Sequence, residues 1–375
     1  MKFILGLGIL LFCFAVPVSA QDFTNENLVK ALVVEIVEEG EKTIDVYSEK
    51  YTNVYQIVRL KILDGEDTGI ETVIDHGGTF SVHPSALVKE GQIVVLTQTE
   101  TPDGLQYQII DKYRLNELGM IALFFLFLVL VLSRWKGVGS FLGMILSLLV
   151  IVKFIVPQIL AGKDPLFISI IGSVFILVTT IYLAHGFSKQ TTTAVVSTAL
   201  TLIMTGLLSV AFVSLTSLSG LADEDASTLL FGPTSTINFK GLLLGGMIIG
   251  FLGVLDDVTT GIAATVFELK KVNSKLKMGK LITSSMNVGR EHISSLVNTL
   301  VLAYAGASLP LFLYIILNPQ GYPMWFVINS ELIAEEIVRT LVGSIGLLFA
   351  VPITAVLAAW VTTGFRDGNR SLLER

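Results

Sequence analysis

Between residues 30 and 112 apolar and polar positions alternate in short runs; beyond residue 117 the alternation gives way to long apolar stretches. The alternating runs fall at 32–37, 43–47, 55–63, 71–74, 92–96 and 107–110. Turn signals separate them: Asp64-Gly65, Asp67-Thr68-Gly69, Gly77-Gly78, Glu90-Gly91 and Pro102-Asp103-Gly104. A two-residue period with regular turns predicts a half-buried antiparallel sheet, about the size of a small barrel. The strand start Lys89-Glu90-Gly91-Gln92-Ile93-Val94-Val95 gives it an OB-like look. That is a likeness of fold, from which no function follows.

Seven apolar spans come next, at 117–134, 137–160, 165–185, 193–218, 239–265, 291–317 and 336–363. Each is near the ~20 residues that cross a bilayer as a helix. The fold class is therefore an α-helical polytopic membrane protein with about seven transmembrane helices, preceded by a small extracytoplasmic antiparallel β-domain. Charge sets the direction. Starting outside, the loops expected in the cytoplasm carry Arg134 and Lys136, Lys189, the group Lys270, Lys271, Lys275, Lys277, Lys280 and Arg290, and finally Arg366, Arg370 and Arg375. The expected outer loops hold little beyond Lys163, and the loop at 219–238 carries Asp223, Glu224 and Asp225. Positive residues gather inside, so the C-terminus is expected in the cytoplasm and the β-domain outside the cell membrane.

Composition agrees with this plan. Only 15% of the 375 residues are charged and 52% are hydrophobic, too few polar groups to cover a water-facing surface of this size. The net charge of −6 comes without a basic stripe interleaved with aromatics, which argues against a nucleic-acid partner. Residues 1–20 read as a signal peptide or N-terminal anchor: Lys2, an apolar stretch from Phe3 to Val16, then Val18-Ser19-Ala20 as a small-residue cleavage site. The domains are then 1–20, the β-domain at 21–116, the helical domain at 117–365 and a cytoplasmic tail at 366–375. Cys13 is the single cysteine, so no disulfide or cysteine metal site forms within the chain.

A charge at the bilayer centre costs ~2.5–3.5 kcal/mol on insertion scales, so carboxylates inside spans mark function first. Span five holds Asp256 and Asp257. At helical spacing Gly246, Gly250, Gly253, Asp257, Gly261, Ala264 and Glu268 share one face, which predicts close approach of a neighbouring helix against Asp257. Two adjacent carboxylates in low dielectric do not both ionise easily, and proton binding is the expected chemistry. The alternative is a hydrogen-bonded structural pair. In span six, Glu291, Ser294, Ser295 and Asn298 lie on one side, and Asn298 enters to a depth like that of Asp257. Asn298 and Thr299 are thus candidate partners of the pair across helices. Secondary candidates are Glu268, Arg290, Glu291 and Thr354, with Arg290 and His292 also readable as interface anchors. Ser197, Thr201, Thr205 and Ser209 form a hydroxyl stripe on span four, which ordinarily bonds its own backbone. Glu335, Glu336 and Arg339 are placed to pair with each other.

Standard catalytic patterns are missing. There is no His-Glu-x-x-His, no Gly-x-Ser-x-Gly elbow and no Walker-type loop. An intramembrane aspartyl protease wants Asp on two facing helices, and here both sit on one. His76, His83, His185 and His292 lie in different regions, so no metal site and no cofactor are expected, nor an enzyme.

The stretch from Gly253 to Leu311 resembles the YibE/F family of bacterial membrane proteins. The matching residues are Gly253-x-x-Asp256-Asp257-Val258, Glu268, then Ser285-Met286-Asn287-Val288-Gly289-Arg290-Glu291 and Asn298-Thr299-Leu300-Val301-Leu302-Ala303-Tyr304-Ala305-Gly306. Glu291 stands where an Asp is common, and Ser294-Ser295-Leu296 replaces a Gly-Thr-Met type run. The resemblance implies the same plan of N-terminal apolar segment, extracytoplasmic β-domain and multi-span region, and brings no settled activity with it. The last three helices are also similar to the membrane half of resistance-nodulation-division transporters and SecD/SecF, where intramembrane Asp residues couple proton flow to work.

Two functions remain open on sequence. One is a proton- or ion-coupled transporter or export factor built on Asp256 and Asp257. The other is a non-transporting scaffold or assembly subunit whose β-domain binds a membrane or extracytoplasmic protein. The lipid bilayer is the expected environment in both, and a homo-oligomer is open in both.

Overall fold

The computed structural model describes residues 27–46, 49–78, 82–101, 104–222, 228–230, 237–318 and 321–373. The expected signal segment at 1–20 and the acidic residues 223–225 lie outside them. The chain divides into two compact units, with the boundary between Leu128 and Val129.

The first unit is a five-stranded antiparallel sheet: β1 (Asn27–Val46), β2 (Glu49–Ile62), β3 (Glu71–His76), β4 (Ile93–Thr101) and β5 (Gly104–Lys112). The strand order is β3-β2-β1-β4-β5, and the outer strands β3 and β5 come into contact, so the sheet nearly closes into a barrel. The two runs expected at 32–37 and 43–47 are one long strand, because Gly40 continues the ladder opposite Tyr55 instead of turning it. Register shifts at Val33/Glu35 and Ile36/Glu38 bend β1, which lets its first part pair with β4 and the rest with β2. Alternate residues fill the barrel, among them Val29, Ala31, Val33, Val58, Leu60, Ile62, Val94 and Leu96.

One buried polar group, Gln56, ties the loop before β4 into this core. Its Oε1 accepts from the Val88 amide at 2.9 Å, and its Nε2 donates to Glu39 Oε2 at 2.9 Å. Between strands, the Tyr107 hydroxyl donates to Asp67 Oδ2. Burial and that bond push the Tyr107 phenol from 10.0 up to about 12. A raised phenol contributes stability that is fully present below pH 10.0 and lost as pH rises toward about 12. The melting midpoint of the sheet is therefore expected to fall over that window in the wild type. In Tyr107→Phe it starts lower and shows a shallower fall there. Equal slopes in an alkaline melting series would refute the assignment.

The second unit is helical. Its elements are α1 (Leu115–Val150), whose first turns belong to the sheet unit, then α2 (Val156–Leu160), α3 (Pro165–His185), α4 (Lys189–Leu215), α5 (Phe239–Val272), α6 (Met278–Ala307), α7 (Leu309–Leu317), α8 (Met324–Asn329) and α9 (Glu331–Leu373). Six helical segments are long and apolar enough to cross a membrane, and α6 with α7, bent by 72°, makes up to seven. The segment Leu115–Ser133 has none of its window buried although it is highly apolar. Such a surface is stable in lipid and not in water. The chain is a multi-pass membrane protein.

Two expectations change here. The turn expected at Arg134–Lys136 is absent, and α1 runs through it as 36 continuous helical residues. The sequence there holds no proline, and Gly137 and Gly139, which could cap a helix, stay inside this one without taking a positive φ. Between α1 and α2, residues Ile151–Ile155 widen into a π-helical turn, with the Val156 amide bonding Ile151 O. Pro157 explains it, since it lacks the N–H that would bond the carbonyl of Lys153.

The second change concerns α5, the centre of the helical core. Its large residues Met247, Phe251, Leu255, Val258 and Ile262 turn inward against α3, α4, α6 and α9. Of the glycines expected to receive a helix, Gly246, Gly253 and Gly261 have nothing within 4 Å of an added Cβ, and Gly250 meets the Tyr304 hydroxyl of α6 at 3.5 Å. The small residues of close contact come from other places. A Cβ on Gly343 would meet Phe251 at 2.8 Å, on Gly346 Thr205 Oγ1 at 2.6 Å, and on Gly289 Val351 at 2.3 Å. Because bulky side chains of α5 fill the inside, the neighbours supply the room.

Candidate functional site

Asp256 and Asp257 lie on different sides of α5. Asp256 is half-buried and Asp257 exposed. Both line a cavity of about 360 Å³ between the second half of α1, α3 and α5. Asp256 Oδ1 is itself buried, with no hydrogen-bond partner among the described residues. A buried carboxylate oxygen without a donor is costly, so such an atom marks either strain or a ligand site.

Helix registers show how the cavity is laid out. Gly139 lies against Leu183 and Gly143 against Thr180, so α1 and α3 run antiparallel. Gly241 lies against Pro165 and Gly245 against Ser169, so α3 and α5 run parallel. Carried forward, that register puts Asp256 at the level of Thr180 and Thr260 at the level of Ala184. Ser140, Ala184, His185 and Thr260 therefore ring one end of the cavity, and Ile151, Ile176, Ile249 and Leu252 close the other. From His185 back to the level of Asp256 is about 7 Å at 1.5 Å per residue. The cavity is a vestibule with a polar mouth and an apolar floor.

The hydroxyls on its wall have a defined polarity. Ser147 Oγ donates to Gly143 O at 2.9 Å, Thr180 Oγ1 to Ile176 O at 2.8 Å, and Thr260 Oγ1 to Asp256 O at 2.9 Å. With their protons spent on the backbone, these oxygens offer only lone pairs to the cavity. Together with two carboxyls they form an acceptor-lined space suited to a cation or a proton donor.

The other candidates lie elsewhere. Asn298 and Thr299 are exposed on α6, Thr299 donating to Ser295 O at 3.0 Å, and neither lines the cavity of the Asp pair. Their helix meets α5 through other faces, such as Gly289 beside Ile262. Glu268 bonds Lys271 at 3.2 Å, Arg290 bonds Asn287 at 3.2 Å, and Glu291 is exposed. Thr354 is fully buried and donates to Ala350 O at 2.7 Å. The α4 stripe is buried, with Thr201, Thr205 and Ser209 each bonding the carbonyl one turn back. Arg339 and Glu336 pair at 2.5 Å.

Two features were not read from sequence. Thr198 and Thr259 bond across α4 and α5 at 2.5 Å, directly behind the Asp pair. His185 stands at the vestibule mouth, where counting inward from the span end places it near the level of Thr260. Among the described residues no three His, Cys, Asp or Glu converge as a metal set.

The vestibule makes a direct prediction. In a chain with Cys13 changed to Ser, cysteines at Ser140, Ala184 and Thr260 should react rapidly with a water-soluble thiol reagent. A cysteine at Ala350, fully buried in the bundle, should not. Equal, slow labelling at all four positions would show the cavity to be dry.

The family described as YibE/F-like protein matches residues 121–364. No curated protein and no solved structure matches the chain.

Proposed function

This chain belongs to the YibE/F-like family, and we propose that it works as a proton- or ion-coupled membrane transporter or export factor. The observation that carries the reading is the buried, unbonded Asp256 oxygen beside a vestibule where the Ser147, Thr180 and Thr260 hydroxyls offer lone pairs. A carboxyl in that setting can take up and release a cation without leaving the helix, which is the step that couples a gradient to work. Lys189 opens α4 just after the end of α3, and Lys270 and Lys271 lie in the last turn of α5, beyond the level of the mouth. By the positive-inside rule the mouth then opens to the cytoplasm. The sheet unit serves as a gate or as the docking module for a partner.

Purified protein reconstituted into vesicles with an internal pH dye tests this. An imposed gradient should drive uptake in the wild type and not in the double variant Asp256→Asn, Asp257→Asn. The transporter reading is overturned by equal flux in both, or by none in either. A scaffold would give the latter result, and the independently cored sheet unit is the feature that favours that second reading.

A further inference from the structure

We infer that the coupling ion is the proton and that His185 is the relay through which the Asp256–Asp257 pair exchanges it with water at the vestibule mouth. The inference rests on the transporter reading above and narrows it to one ion and one entry group.

Three titratable side chains line the vestibule: His185 at the end of α3, and Asp256 and Asp257 on α5. The α1 wall facing them, from Ser140 to Ile151, carries no charge. They share a space without converging on one point as metal ligands do. Metal-type coordination of a bare cation by all three is therefore not what the arrangement favours. Transfer along a line is.

The wall between them fits that use. Thr260 presents an acceptor oxygen near the level of His185 and Thr180 one at the level of Asp256, an axial separation of about 7 Å that a short chain of waters can bridge. Imidazole suits the entrance because it holds a proton on one ring nitrogen while the other accepts. The step balances simply. His185 accepts a proton from hydronium in the bulk phase, leaving water; the imidazolium passes one through the bridging water to a carboxylate of the pair, and the ring returns to neutral. Uptake on one ring nitrogen and release from the other is a route open to a proton and closed to a sodium ion.

His185 is exposed at a helix end, followed by Gly186 at φ +72°, so its replacement disturbs no packing. The test uses the reconstituted full chain as wild type, His185→Ala, His185→Gln and Asp256→Asn, each with and without free imidazole. Proton flux should drop on the order of a hundredfold in both His185 variants. Imidazole should restore part of it in His185→Ala and none in Asp256→Asn. Replacing sodium by a bulky organic cation should leave wild-type flux unchanged.

Wild-type flux in His185→Gln, or dependence on sodium, overturns this inference while the Asp-based reading stands. Loss in His185→Ala that imidazole does not touch also overturns it. Absence of flux in the wild type removes both.

Discussion

Asp256→Asn is expected to reduce gradient-driven flux on the order of a hundredfold, and Asp257→Asn is expected to reduce it less. On the sequence the two carboxylates are equivalent neighbours, with Asp257 the more attractive because it shares a face with the glycines. The structure separates them. Asp256 is the half-buried one, its Oδ1 is shut away without a donor, and it stands level with Thr180 in the vestibule. Asp257 is exposed and its neighbours Gly253 and Gly261 meet nothing.

A carboxyl that must exchange its ion while half-buried controls the rate more than an exposed one. Asparagine keeps shape and hydrogen-bonding capacity while removing the exchangeable charge, so folding should survive. Thermal melts of both variants in detergent, run beside the vesicle assay, separate the effects. Equal losses, or a larger loss in Asp257→Asn, would reverse the assignment of roles. Loss of folding in Asp256→Asn would instead give the pair a structural purpose.

The second large effect concerns packing beside the same cavity. Gly139→Val is expected to destabilise the helical unit by about 1–3 kcal/mol or more, whereas Gly253→Ala is expected to be neutral or to stabilise. A Cβ on Gly139 would lie 2.3 Å from the carbonyl oxygen of Leu183 and 3.1 Å from its carbon. Both are backbone atoms of α3, so relief requires the whole helix to move. That movement also widens the vestibule at its mouth, and thiol labelling at Ala184 should change with it. At Gly253 an added methyl group has open space. Alanine there gains the roughly 0.5–1 kcal/mol by which it exceeds glycine in a helix interior. If the ranking came out opposite, the glycine face of α5 would be a contact that the single chain does not make.

Much of the architecture could be read from the order of residues, because local periodicity expresses it. Alternation in 30–112 implied a barrel-like sheet, and the β3-β2-β1-β4-β5 order with nearly joined edges agrees with that. The apolar runs likewise correspond to the helical segments, since no other arrangement spares so many Leu, Ile and Phe from water. Family membership was legible in the run from Gly253 through Asn298 to Gly306, and the match over 121–364 agrees.

The misreadings share one cause. Small residues on a helix face permit a close neighbour without demanding one, and the choice is made by what surrounds the helix. The face of α5 that packs carries Met247, Phe251 and Leu255, while Gly343, Gly346 and Gly289 on α9 and α6 give way to it or to its neighbours. Residue counting likewise put Asn298 at the depth of Asp257, but depth says nothing of azimuth, and Asn298 faces away from the vestibule.

What the amino-acid sequence determined alone is the class of each segment, for period and polarity are properties of consecutive residues. It also located the carboxylates. What only the tertiary structure decided is which of those carboxylates is enclosed, and by what: Thr180 and His185 from α3, Ser147 from α1 and Thr260 from α5. These residues are spread over more than a hundred positions, from Ser147 to Thr260, and the register of packed helices, which no local pattern records, brings them to one cavity.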